Sequence, residues 1–169
     1  MNEIAALLEP QIPGLRRYAW ALLRDDEAAD DLVQDTLERA IGHWTQRRRE
    51  GDLRAWLFTI QRNLFLNGER RRRRRGPHVG VESLETLPST ESRPDESSEL
   101  RDVLAGLEAL PEEQRSVLLL VAVEDFSYEQ AARALDLPIG TVMSRLSRAR
   151  ERMRQFMENG RRTVLRRVK

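Results

Sequence analysis

Residues 76–95, GPHVGVESLETLPSTESRPD, set the first limit on how this chain can fold. The stretch holds Pro77, Pro88 and Pro94, several Ser and Thr, and a net negative charge. Such a composition buries too little apolar surface to offset the entropy of ordering its backbone, so it reads as a linker. The 169-residue chain therefore divides into two short halves, each needing its own core. Only 5% of residues are aromatic, and the apolar ones are mostly Leu, Ala and Val, which favours helices over sheets. The expected fold class is all-α. Two small helical domains, 1–75 and 97–160, flank a flexible acidic linker over 76–96, and a basic tail of 161–169 is expected to fray.

Composition also removes several function classes. The chain has no cysteine, which excludes disulfides, thiolate metal sites and thiol redox sensing. His43 and His78 lie far apart in sequence, and no metal site is expected from them. No apolar run approaches the ~18–20 residues of a membrane span, and no signal peptide opens the chain, so a cytoplasmic protein without membrane insertion is expected. Neither a Ser/His/Asp set nor a Gly-rich phosphate loop is present, so no catalytic residues and no cofactor are expected.

The net charge of +1 hides strong segregation. Residues 25–38 carry seven acidic and no basic side chains. Residues 53–75 carry eight Arg against Glu69, and residues 140–169 carry ten basic groups against Glu151 and Glu158. Two basic regions separated by an acidic segment suggest two contacts with a polyanion. The linker, extended, spans at most ~65 Å, or about 19 base pairs of duplex. A plain solvated linker would have the same composition. The acidic segment calls for a different partner.

Periodicity places the helices. Ile12, Leu15, Ala19, Leu22 and Leu23 mark one. Asp25 or Asp26 is expected to cap the next, roughly Glu27 to Trp44, with Ala29, Leu32, Val33, Ala40, Ile41 and Trp44 as its buried stripe. Asp31, Gln34, Asp35 and Glu38 fall on another face. After a polar segment, Thr45 to Asp52, the residues Leu53, Trp56, Leu57, Ile60 and Leu64 mark the expected core face of a third helix, which runs into Arg70–Arg75. In the second half, Val103, Leu104 and Leu107 give one helix, Pro111 starts another, and Val117 to Val123 read as central core.

Ser127 to Arg150, SYEQAARALDLPIGTVMSRLSRAR, reads as a helix-turn-helix. Ser127 and Gln130 have capping-box spacing. Asp136 to Pro138 break the helix, since Pro138 disfavours helical geometry at Leu137. Gly140-Thr141 opens a second helix with Val142, Leu146 and Ala149 inward and Thr141, Ser144, Arg145 and Arg148 pointing the other way. Small polar residues followed by arginines suit a helix that enters the major groove. From spacing alone, an ordinary helical hairpin with a solvated basic face stays open.

Three segments together resemble the extracytoplasmic-function (ECF) group of RNA polymerase sigma factors, within the sigma-70 superfamily. Asp31-Leu32-Val33-Gln34-Asp35-Thr36 is similar to that family's DLVQDT motif. Ala55 to Leu64, AWLFTIQRNL, resembles its AWLxxIxRN segment. Leu110 to Arg115 with Gly140 to Arg150 resembles its LPxxxR…GTVxSRLxRAR signature. The resemblance implies a region 2 bundle and a region 4 helix-turn-helix. It implies that Asp31, Gln34, Asp35 and Glu38 bind the clamp helices of the largest subunit of core RNA polymerase. It implies that Arg62, Asn63, Asn67, Arg70 and Arg71 contact the minus-ten element, while the Thr45–Asp52 loop holds a flipped-out base. Asn63 offers both donor and acceptor to a base edge, and the arginines suit phosphates. By its spacing Trp56 is expected in the core rather than as a stacking platform. The resemblance assigns Thr141, Ser144, Arg145 and Arg148 to the minus-thirty-five element, with the second-largest subunit's flap as a further partner, and implies an anti-sigma factor. Arg145 and Arg148 could meet base edges or phosphates.

Three positions depart from the pattern. Asp125-Phe126 stands where Gly and an aliphatic residue are common, Met143 stands where Lys is common, and Asn67 replaces a frequent Asp. A stand-alone regulator with a helix-turn-helix output domain is the rival reading. It predicts tight specific DNA binding without polymerase.

Overall fold

The computed structural model describes residues 2–48, 50–76 and 97–167, with side chains for 3–48, 50–76 and 97–160. The linker expected over 76–96 lies outside the described residues apart from Gly76. The chain forms two compact units, one built by the helices up to Arg75 and the other, for the most part, by those from Ser98 onward.

In the first unit, α1 (Asn2–Leu8) and a 3-10 turn (Glu9–Gln11) lead into α2 (Ile12–Leu23). Arg24 ends α2 in the left-handed conformation (φ 57°), donating its N–H to the Trp20 carbonyl at 2.7 Å. Of the two candidate caps for α3 (Asp26–Gly42), Asp25 is the one used: its Oδ1 accepts from the Ala28 N–H at 2.7 Å. Asp26 and Glu27 then sit in the first turn, where the helix dipole favours negative charge. Asp52 caps α4 (Leu53–Arg75) in the same way, accepting from the Ala55 N–H at 3.0 Å.

Helix α3 packs against both α2 and α4. Tyr18 of α2 meets Phe58 of α4 edge-on, centroids 5.4 Å apart. Two polar side chains share this core. Thr36 donates to the Leu32 carbonyl at 2.7 Å, and Gln61 donates from Nε2 to the Leu15 carbonyl at 2.9 Å. The Gln61 bond ties α4 to α2 with a directional contact inside an apolar shell, where losing it would strand a buried donor.

The structure corrects two expected core faces. On α4 the buried residues are Ala55, Leu57, Phe58, Gln61 and Phe65, while Leu53, Trp56, Ile60 and Leu64 are only half-buried. Apolar residues occupy several sides of this helix, so periodicity alone does not choose the face. On α3, Ala29, Leu32, Val33 and Ala40 are buried as expected. Ile41, however, lies off this stripe and is 49% exposed, and the helix stops at Gly42, leaving Trp44 half-buried in a short 3-10 turn, Trp44–Gln46.

In the second unit, Ser97 Oγ accepts from the Leu100 N–H to cap α5 (Ser98–Glu108). Pro111 stands directly before α6 (Glu112–Ala122), where a missing N–H costs nothing. Val117, Leu119 and Leu120 of α6 are buried, but Val123, just past its end, is half exposed rather than core. Asp125 takes a left-handed backbone (φ 53°), the conformation that glycine favours and that Asp tolerates better than most residues. This lets Phe126 turn inward to 3% exposure.

Helices α7 (Tyr128–Leu135) and α8 (Ile139–Arg167) form the helix-turn-helix. The capping box is complete: Ser127 Oγ accepts from the Gln130 N–H at 3.1 Å, and Gln130 Oε1 accepts from the Ser127 N–H at 3.0 Å. Helix α7 ends because Asp136 turns left-handed (φ 52°), with the Leu137 N–H donating back to Ala132 and the Asp136 N–H to Arg133. That is a Schellman closure with Asp in the position usually held by Gly. Both α5 and α6 pack on α8. A Cβ at Gly106 would meet the Met153 Cε and Sδ at 3.0 Å, so the absent side chain is what lets α5 approach α8. The backbone of α8 stays helical to Arg167, past the point where a frayed tail was expected.

Candidate nucleic-acid interface

Each unit presents a charged surface of its own. On α3 the core stripe turns inward, and Asp31, Gln34, Asp35 and Glu38 all emerge exposed, as their spacing requires. Gln34 Nε2 donates to Glu38 Oε1 at 2.9 Å, one turn apart. Asp31, Asp35 and Glu38 have no ion pair among the described residues, whereas Asp30 beside them pairs with Arg16 at 2.7 Å. Exposed Ile41 extends this helix's solvent face, an apolar addition that periodicity misassigned to the core.

On α4, Asn63, Asn67, Arg70 and Arg71 are exposed and Arg62 is half-buried. The core contacts of Phe58, Gln61 and Phe65 fix the opposite side of the helix, so the two asparagines, four residues apart, share one accessible face. Glu69 binds Arg72 at 2.8 Å and so offsets one charge of the arginine run.

The half-buried Trp56, expected in the core, instead packs edge-on against Trp44 with centroids 6.2 Å apart. Arg47 lies 4.8 Å above the Trp44 ring. Two concavities open beside this aromatic pair. One, about 380 Å³, is lined by Glu3, Ile4, Leu7, Trp44, Thr45 and Arg47. The other, about 300 Å³, is lined by Arg39, His43, Gln46, Trp56 and Ile60. Ring faces, a guanidinium and a hydroxyl are the groups that stack on and hydrogen-bond an unpaired base. Trp44 was expected in the buried stripe of α3 and Arg47 only as part of the Thr45–Asp52 loop, neither with a role of its own. The signal in the sequence is the three-residue spacing of Trp44 and Arg47.

On α8, Val142, Leu146 and Ala149 are buried to 1% exposure or less, as expected. The expected outward set divides. Ser144 and Arg148 are exposed, but Thr141 and Arg145 are half-buried on the flanks of the buried stripe. Arg145 does not point away from the core. It lies toward α6, where its Nη2 forms an ion pair with Glu113 Oε2 at 3.0 Å. The reason is angular: position 145 is three residues after Val142 and four before Ala149, helical spacings that keep it beside the buried stripe. Met143 and Ser147, both exposed, join Ser144 and Arg148 on the open face. Ser144 Oγ donates to the Thr141 carbonyl at 3.1 Å.

Farther along α8, Arg154 donates to Glu151 and to Glu158, each at 2.6 Å. The hydrogen bond from Arg154, with a second from Gln155, holds the Glu151 carboxyl below the usual glutamate range. Those same carboxylates, Glu151 first, push the Arg154 guanidinium above its ordinary value. Among the described residues, no group of three or more His, Cys, Asp and Glu could hold a metal ion.

Comparison with known proteins follows the same division. A family model described as the Sigma2 domain of PhyR matches residues 8–61, and one for sigma-70 region 4 matches residues 100–153. The ECF RNA polymerase sigma factor EcfG of Rhodopseudomonas palustris is 40% identical over 144 residues, 84% of this chain and 78% of that one. This chain belongs to the ECF RNA polymerase sigma factors. The sigma factor RpoE of Bartonella quintana, solved in complex with the anti-sigma factor NepR, superimposes with a TM-score of 0.79 at 34% identity, covering 94% of this sigma factor and 98% of RpoE. CnrH, solved in complex with the cytosolic domain of CnrY, gives a TM-score of 0.68 at 26% identity, covering 92% and 88% of the two chains. The region 2 match thus spans α2, α3 and the first part of α4, and the region 4 match spans the helix-turn-helix with Glu113 and Arg145.

Proposed function

We propose that this sigma factor binds core RNA polymerase, directs it to specific promoters and helps melt them, with no catalytic chemistry of its own. The observation that carries this reading is the EcfG likeness extending through both charged units. Asp31, Gln34, Asp35 and Glu38 dock on a basic surface of the polymerase, the clamp helices of its largest subunit. Free carboxylates on one helix face steer such an encounter. The second-largest subunit's flap engages the region 4 unit.

Promoter contacts follow from the exposed polar groups. Asn63 and Asn67 face the minus-ten element, with Arg62, Arg70 and Arg71 on its phosphates. The Trp44–Arg47 concavity receives an unpaired base, a role supported by its aromatic wall. Thr141, Ser144, Arg145 and Arg148 contact the minus-thirty-five element from α8, with Arg145 at the edge of the contact. The domain limits 1–75, 76–96, 97–160 and 161–169 assign polymerase and minus-ten binding to the first segment, the connection to the second and upstream binding to the third.

An anti-sigma factor holds the protein inactive until a stress signal, a reading supported by the NepR and CnrY complexes of its structural relatives. The protein acts in the cytoplasm with the polymerase. No described helix is long and apolar enough to cross a membrane.

Run-off transcription with purified core polymerase tests the central claim. Initiation at a specific promoter that requires both factor and core is the expected result. Tight specific binding by the factor alone, with no core-dependent initiation, would replace this reading with that of a stand-alone regulator.

A further inference from the structure

Two glutamates in sequence open α6, and they do different things. Glu112 turns back along its own helix and accepts from Ser116 Oγ. Glu113 reaches across to α8 and holds Arg145. The Arg145 side chain is only 22% exposed and lies beside the more exposed Glu113 carboxylate. Arg148, one turn on, is exposed. The two arginines of the reading helix are therefore not equivalent.

A guanidinium has five N–H donors, and the ion pair with Glu113 is made at one nitrogen, Nη2. The donors remain available, but in the place that Glu113 sets. An untethered arginine sweeps a wide arc and can neutralise whichever phosphate comes near. A tethered one meets a phosphate or base edge only when the duplex is docked in register. Pre-organisation of this kind lowers the ordering cost for the correct partner and withholds the group from wrong ones.

We propose that Glu113 is a positioning residue for promoter discrimination: it holds Arg145 back from non-cognate DNA and presents it to a correctly docked duplex. This rests on the reading that α8 contacts promoter DNA. Exposed ion pairs of this type change an equilibrium by about 1.4- to 5-fold. That is weak enough to be lost to any nearby phosphate unless geometry helps, and large enough to measure.

The test uses the full-length factor and a random-sequence duplex, with affinity followed by fluorescence anisotropy across a salt series. Glu113→Gln is nearly isosteric and lies at the surface, and thermal melting checks its fold. It is expected to raise affinity for the random duplex about two- to five-fold, and to steepen the log–log salt slope by about 0.9, one extra phosphate neutralised. With core polymerase at a preferred promoter, affinity should change by less, so discrimination falls.

In an Arg145→Ala background the Glu113→Gln gain should vanish, and Glu112→Gln, the same charge change one residue away, should give a smaller gain. A gain that persists without Arg145, equals that of Glu112→Gln, or appears equally at the preferred promoter would overturn the proposal in favour of a bulk charge effect. No gain on random DNA overturns it as well. If instead Arg145→Ala and Arg148→Ala both leave binding to every duplex unchanged, the assignment of α8 to DNA fails first, and this inference fails with it.

Discussion

Helix α3 exposes Asp31, Asp35 and Glu38 without an ion pair among the described residues, whereas α8 ties Arg145 to Glu113 and Arg154 to Glu151 and Glu158. The partners proposed for the two helices explain the contrast. A protein surface offers cations at a few fixed places, so uncommitted carboxylates gain on-rate with little risk of wrong pairing. Duplex DNA offers a phosphate every few ångströms. Uncommitted arginines would bind it anywhere, and some of the basic charge on α8 is accordingly engaged within the protein.

The largest expected effect comes from reversing the acidic helix. Asp35→Arg should weaken binding to core polymerase by about 100-fold, because like charges then face each other across the interface. The position is exposed, so the melting temperature should hardly move. Core affinity by pull-down or anisotropy decides it, and unchanged affinity would remove α3 from the interface.

A smaller effect is expected from Arg148→Ala on α8. It should weaken binding to any duplex by roughly 3- to 10-fold and lower the salt slope by about 0.9, as for one lost phosphate contact. A loss confined to particular base pairs would instead make Arg148 a reader of bases, and the contrast with Arg145 would need redrawing.

The smallest effect concerns the Glu151–Arg154–Glu158 cluster. The folded-state carboxyl of Glu151 is depressed by Arg154 and Gln155, so its contribution to stability is present above the unfolded value of about 4.3. It is lost as pH falls through the lower folded value. Melting of the full chain against a Glu151→Gln variant should show a gap near neutrality that closes in acid. The group is exposed, so the gap is small, and a gap that widens on acidification would contradict the assignment.

Much of this arrangement can be read from residues alone. The Ser127–Gln130 box, an Asp cap at one of the two expected positions, Asp25, and the inward set Val142, Leu146 and Ala149 all appear where spacing allows them, because local hydrogen bonding and the 3.6-residue period act within a single helix. So does the exposure of Asp31, Gln34, Asp35 and Glu38, which lie off the stripe of Ala29, Leu32, Val33 and Ala40 on α3.

What depends on neighbours is not written in any one segment. Helix α4 carries apolar residues on several sides, and only the docking of Tyr18 and the Leu15 carbonyl selects Phe58 and Gln61 over Trp56 and Ile60 for the core. Trp56 is thereby left to pack on Trp44 beside the loop cavities. Arg145 likewise looks like any other outward arginine until α6 lies alongside and places Glu113 within 3.0 Å. The sequence determined how α7 begins and ends and which charges the long helices carry, because those are short-range properties of the backbone. The tertiary structure decided which face of α4 is buried and which arginine of α8 is held, because both depend on what a distant part of the chain brings into contact.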